Sequence, residues 1–235
     1  MYTGFCQIGS NRYYFDKKNG DMKKGWHYLE YDTGKFNAFF FDDDSGAQLM
    51  GWHELKRDGN KDWFYFNING TLTGLRKVET GGTFYFNEKG AMQKGWHYLR
   101  YDVGKFGVFF FNNQGYMLTG FQHLKRDGND HWYYFDKTTG VMLTGFQKIE
   151  GRRVYFDKDH GDLRTGWIYL EYATGKSGWF FFNSIGDMAV GWLQMRYDGK
   201  DRWFYFDPTY GYMYANRCYA IDRRFYCFNR DGILQ

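Results

Sequence analysis

The chain has 235 residues, of which 24% are aromatic, with 31 Gly and a single Pro, so it carries too many rings for a flexible Gly-rich linker. Its formal charge of +4 is spread over turns and strand edges and forms no basic stripe, which excludes the electrostatic footprint of a nucleic-acid binder. No apolar run of about 18 residues is present to span a membrane, and no segment at the start reads as a secretion signal.

Taken from the N-terminus, a Gly followed by a large apolar residue recurs at Gly4-Phe5, Gly25-Trp26, Gly51-Trp52, Gly74-Leu75, Gly95-Trp96, Gly120-Phe121, Gly145-Phe146, Gly166-Trp167 and Gly191-Trp192, with Ala215 standing in for the last Gly. The steps lie 21 to 26 residues apart, the period of a repeat architecture. Met1-Tyr2-Thr3-Gly4-Phe5 copies the end of an internal repeat, Tyr116-Met117-Leu118-Thr119-Gly120-Phe121, so the chain is expected to begin inside a longer array.

Within each repeat an aromatic run follows, such as Trp63-Phe64-Tyr65-Phe66 or Trp132-Tyr133-Tyr134-Phe135, and ends at Asn or Asp with a Gly a few residues on. Aromatic runs form strands, and Asn or Asp followed by Gly supplies turn chemistry. A short strand with Met or Leu comes next (Met22, Leu49, Leu72, Met92, Met117, Met142, Leu163, Met188, Met213). Each repeat therefore reads as a β-hairpin plus connector, and lone hairpins are too weak to stand without stacking.

Alternation along a strand sends Trp63 and Tyr65 to one face and Phe64 and Phe66 to the other, so one set can build a core while the other lines the seams. The steps at Gly4, Gly74 and Gly145 lie 70 and 71 residues apart, and Leu55-Lys56-Arg57-Asp58-Gly59-Asn60 recurs unchanged at Leu124 to Asn129. The predicted fold is all-β: one solenoid domain over residues 1–235, of about ten stacked hairpins, about three per superhelical turn.

Cys218 and Cys227 fall on the two arms of the last predicted hairpin, where either a cross-strand disulfide or a pair of small apolar fillers fits; Cys6 has no evident partner. Asp42-Asp43-Asp44-Ser45-Gly46 and the carboxylates of Asp157 and Asp159 occupy turn slots, and His27, His53 and His97 follow the repeat without converging. No nucleophile and base pair, phosphate loop or metal spacing appears, so neither an enzyme nor a cofactor or metal is expected.

These residues resemble the choline-binding or cell-wall-binding repeats of Gram-positive surface proteins and phage lysins. The shared pattern is Gly-Trp, Trp-Tyr-Tyr-Phe, Asn/Asp, a Gly turn, Met and Thr-Gly, and it covers essentially the whole chain. The resemblance implies a left-handed β-solenoid on a bacterial surface or secreted, with a catalytic or adhesin domain attached outside this chain. It also implies that choline sits between hairpins in an aromatic cage, where π faces hold a cation at about 0.5–2 kcal/mol each. Mapped residue by residue, the cages are Trp52, Trp63 and Tyr85; Trp167, Trp179 and Tyr205; Trp192, Trp203 and Tyr226; and, weaker, Phe121, Trp132 and Tyr155. Where the second cage position is Arg12, Ala38, Thr83, Val108 or Arg153, no such site is expected.

Two ligand classes suit such rings: phosphocholine on (lipo)teichoic acid, and glycans, including the α-glucans and host carbohydrates that related arrays bind. For a glycan, Gln122, Gln147, Gln194, His27, His53 and His97 would serve the hydroxyls. A purely structural spacer is the third reading.

Overall fold

The computed structural model describes residues 1–235. It is all-β, and its strands pair as ten separate antiparallel hairpins. They fall into two compact units, Met1–Leu118 and Thr119–Gln235. The first unit holds the first to fifth hairpins: Gly4–Ile8 with Asn11–Phe15, Gly25–Asp32 with Lys35–Phe41, Gly51–Arg57 with Asn60–Asn67, Gly74–Lys77 with Thr83–Phe86, and Gly95–Asp102 with Lys105–Phe111. The second holds the sixth to tenth: Gly120–Arg126 with Asn129–Phe135, Gly145–Ile149 with Arg152–Phe156, Gly166–Ala173 with Lys176–Phe182, Gly191–Tyr197 with Lys200–Phe206, and Arg217–Ile221 with Arg224–Phe228.

Side-chain alternation turns each hairpin into a two-sided tile. Phe39 and Phe41, Phe64 and Phe66, Phe84 and Phe86, Phe180 and Phe182, and Phe204 and Phe206 lie on one face and are buried. That face receives the Gly-aromatic ring of the preceding hairpin: Trp26 packs on Phe64 at 5.0 Å, Trp52 on Phe84 at 4.8 Å and Trp167 on Phe204 at 5.3 Å between ring centroids. The core of each unit is therefore a series of aromatic seams between successive hairpins, the arrangement of a β-solenoid.

Backbone hydrogen bonds fix seven of the seams. The connector of one hairpin donates to a carbonyl of the hairpin before it, as in Gln48 N to Arg12 O, Met92 N to Trp63 O, Met117 N to Thr83 O, Leu163 N to Trp132 O, Met188 N to Arg153 O, Met213 N to Trp179 O and Leu234 N to Trp203 O, at 2.7 to 3.0 Å. The acceptor is thus the residue that opens the aromatic run. In the second hairpin Gln48, not Leu49, takes the connector position, bridging to Phe41, and in the third Thr71, not Leu72, pairs with Phe66. Gly70 shows why small residues recur at the turns: its φ is +98°, and a Cβ there would stand 2.5 Å from Ala38 O of the preceding hairpin.

The turns are closed by carboxylates and amides. Asp42 Oδ1 accepts from Asp44 N and Ser45 N, and Asp136 Oδ1 from Thr138 N and Thr139 N, while Asn112 Oδ1 accepts from Gln114 N and Tyr116 N. These bonds hold the Asp42 and Asp136 carboxyls below the ordinary value, with the backbone N–H of Ser45 and Thr139 the leading causes. Asp16 is drawn down to about 2, first by its hydrogen bond from Lys23 and then by backbone N–H groups. A carboxyl lowered on folding adds stability that is complete above its unfolded value of about 4 and is lost as pH falls through the folded value. The melting temperature is accordingly expected to stay level from neutral pH down to about 5 and to fall below about 4, as followed by circular dichroism at constant ionic strength. A level profile down to pH 2 would show that the Asp turns contribute nothing.

In the tenth hairpin Cys218 stands opposite Cys227, and the two are disulfide-bonded; Cys6 is free.

Candidate functional site

Two open seams are each built from three hairpins. The first supplies the Gly-aromatic ring and the residue opening the aromatic run, the next supplies a floor and a connector side chain, and the turn of the one after closes the side.

Between the third and fourth hairpins, Trp52 and Trp63 meet edge to face with centroids 6.5 Å apart. Glu54 pairs with Trp63 across the hairpin and Trp52 with Tyr65, so both indoles stand on one face, two residues apart along the strands. They line an open pocket with Phe84 and Met92 of the fourth hairpin and with Tyr116 from the turn of the fifth. Lys94, Asn113 and Gln114 lie at the same pocket. Trp63 is 41% exposed, which leaves its ring available to a ligand.

The seam between the eighth and ninth hairpins repeats this plan. Trp167 and Trp179 line a pocket with Tyr197 and Met213 of the ninth hairpin, and Arg230 and Asp231 from the turn of the tenth close it. Trp179 is 46% exposed and also touches Tyr169 edge to face at 5.5 Å. Between the ninth and tenth hairpins Trp192 lies 6.2 Å from Trp203 and 4.8 Å from Tyr226.

The predicted third rings are placed unevenly. Tyr226 joins its two tryptophans, whereas Tyr85 packs on His97 and Phe111 at 5.0 and 6.1 Å, in the following seam. Tyr205 packs on Trp192 and Tyr214 at 4.9 and 5.1 Å, away from Trp167 and Trp179. Tyr155 packs on Phe146 and Phe182 at 4.9 and 6.2 Å, while Phe121 lies against Tyr134 and Trp132 against His123. The cause is strand periodicity: a shift of one residue changes the face, so the ring under Trp52 is Phe84 and not Tyr85. The tenth hairpin differs because Tyr226 is two residues before the buried Phe228, the position Phe84 holds before Phe86.

The connector methionines and turn residues Tyr116 and Asp231 escaped the mapped cages. The regular Met after each turn was a signal for the first; nothing within one repeat signals the second.

Chemically, these boxes present π faces and a polarizable thioether, a setting for a cation that donates no hydrogen bond. Elsewhere the ionisable groups brace turns. The donor atoms of Asp157, His160 and Asp162 gather within 4.8 Å, but Asp157 Oδ1 accepts from Asp159 N and His160 N, and Arg164 pairs with both carboxylates.

A seam-by-seam stack of hairpins with aromatic boxes defines the class: a β-solenoid repeat protein. The family model described as a putative cell wall binding repeat matches residues 3–22, 54–72 and 119–142, in the first, third and sixth hairpins. Those three stretches are thus similar to cell wall binding repeats. No curated protein matches it. Among solved structures it resembles choline binding protein F from Streptococcus pneumoniae, 26% identical with a TM-score of 0.70, over 100% of this chain and 87% of that one. The same protein in the presence of a peptidoglycan analogue, a tetrasaccharide-pentapeptide, matches at 26% identity and a TM-score of 0.69, over 99% and 86% of the two chains. CbpJ from S. pneumoniae TIGR4 shares the fold at 24% identity, with a TM-score of 0.70 over 100% and 88%.

Proposed function

We propose that the chain is a non-catalytic wall-binding module, secreted or held at a bacterial surface, that takes the choline of phosphocholine on (lipo)teichoic acids into its open seams. The observation that carries this is the recurrence of one box: two indoles from one hairpin and a methionine from the next, at Trp52, Trp63 and Met92 and again at Trp167, Trp179 and Met213. Trp192, Trp203 and Tyr226 form a further candidate, with Leu234 in the connector position. A trimethylammonium group cannot donate a hydrogen bond, so ring faces and a thioether recognise it where a pocket of acceptors would gain nothing. Asp231 and Arg230 bring one charge of each sign to the rim of the second box. Sites of this kind are individually weak, and a polymer bearing many choline groups makes up for that through multivalency. The likeness to choline binding protein F supports the same ligand class.

The side chains that a glycan would need are largely engaged inside the protein. His27, His53 and His97 donate through Nε2 to Lys24 O, Met50 O and Lys94 O, and Gln122 and Gln147 donate to Thr119 O and Thr144 O, at 2.7 to 3.0 Å. Each closes on a carbonyl three residues back, which weighs against glycan recognition at these positions. The deciding experiment is retention on a choline-bearing matrix. Millimolar free choline is expected to elute the protein, and retention that choline does not disturb, or binding to dextran instead, would overturn the reading.

A further inference from the structure

In four seams an arginine of one of the two packed hairpins reaches the turn that closes the side, whereas the arginine at the second open box, Arg230, belongs to the closing turn itself. Arg12 replaces the second ring of the first seam: its Cζ lies 3.9 Å over Phe5, and Nη1 donates to Gln48 Oε1 at 3.3 Å and to Ile68 O in the turn of the third hairpin. Arg153, at the same position of the seventh hairpin, shares a cavity with Phe146 and Met188 and donates to Pro208 O at 2.9 Å and Thr209 O at 2.6 Å in the turn of the ninth. The other two come from the following hairpin. Arg57 stands 4.5 Å over Trp26 and donates to Lys89 O at 2.5 Å in the turn of the fourth hairpin. Arg152 stands 5.6 Å over Phe121 and donates to Ile185 O at 2.6 Å and Asp187 Oδ1 at 2.5 Å in the turn of the eighth.

In all four cases the guanidinium joins a seam to the turn that closes its side, the turn that supplies Tyr116 or Asp231 to the open boxes. A planar, weakly hydrated guanidinium can lie over a ring and donate to carbonyls at once. The open seam of the eighth and ninth hairpins lacks it for one reason legible in the register. Arg57 pairs with Asn60 at the end of its hairpin, and the residue that pairs with Lys200 at the same place in the ninth hairpin is Tyr197.

We propose that Arg12, Arg57, Arg152 and Arg153 are resident cations, each filling the aromatic seam that a cationic ligand would otherwise enter, and that Tyr197 is the residue that keeps the eighth seam open. The inference rests on the reading of the open boxes as quaternary-ammonium sites and names what decides which seams are available. A second cation brought to such a ring would meet like charge at short range.

The test has two arms, both read from indole N–H resonances of the full chain. Titration of the wild type with choline chloride is expected to move Trp167 and Trp179 and to leave Trp26 in place. In Tyr197→Arg the response of Trp167 and Trp179 is expected to weaken at least tenfold while Trp52 and Trp63 respond as before. An undiminished response at Trp167 and Trp179, or a choline response at Trp26 of the wild type, overturns the proposal. The second arm uses methylguanidinium chloride on Arg57→Ala: Trp26 is expected to titrate in the variant and not in the wild type, and silence in the variant overturns the proposal. This arm needs no choline and decides the matter if Tyr197→Arg does not fold. If no wild-type indole responds to choline, the quaternary-ammonium reading fails by itself, and the methylguanidinium result still judges the arginines.

Discussion

Trp63→Ala and Trp179→Ala together are expected to release the protein from a choline-bearing matrix, although each change alone removes only one ring from one seam. A lost cation–π face is worth roughly 1–2 kcal/mol in a partly desolvated box, so each single variant should weaken its own site about tenfold. Retention depends on simultaneous occupancy of several sites, and losses in two of them multiply. The double variant is therefore expected to elute at a far lower choline concentration than either single variant. Both side chains are more than 40% exposed and neither is a floor residue, so the melting temperature should move by only a few degrees. Chromatography with a choline gradient, beside calorimetric titration of the two single variants, checks this. Unchanged elution of the double variant would place the ligand elsewhere.

Phe182→Ala should produce the largest loss of stability. Phe182 is fully buried, with its ring 6.2 Å from Tyr155 of the preceding hairpin and 6.5 Å from Phe180 beside it, and Met188 completes the cluster. Removing such a ring leaves a cavity that a stack of paired strands cannot close, at a cost of about 3–5 kcal/mol. Because each repeat leans on its neighbours, the weakness should first appear locally, as faster amide exchange in the seventh and eighth hairpins. Phe36→Ala is the control: Phe36 is 51% exposed and stacks only on Tyr28 at the tip of the second hairpin, so its loss should cost under about 1 kcal/mol. Urea unfolding of both variants separates a seam ring from a tip ring, and equal losses would contradict a core lodged in the seams.

Much of this molecule can be read in one dimension because its backbone bonds are mostly local. A run such as Trp63-Phe64-Tyr65-Phe66 closes its ladder with Gly51–Arg57, a few residues upstream, and Asn67 folds the turn that follows through its own side chain. Strand, turn and repeat length therefore follow from composition and spacing, whereas the grouping of Trp52 with Trp63 is what the family resemblance implies. The cysteines illustrate the limit of local reading: position brought Cys218 opposite Cys227, but bonding and filling were equally compatible with it until the coordinates paired them.

The amino-acid order by itself determined the hairpins, their turns, the ten-fold repetition and the alternation that gives every hairpin two aromatic faces. Tertiary structure decided which face meets which neighbour, and so placed Phe84 and not Tyr85 beneath Trp52. It also decided that a third hairpin closes the two open boxes and the four arginine seams, bringing Tyr116 to one box, Asp231 to another and carbonyls to the arginines. The reason is one of range: hydrogen bonding within a hairpin is written in neighbouring residues, whereas the contact between one hairpin and the turn two hairpins on depends on how successive tiles rotate as they stack, which no single repeat contains.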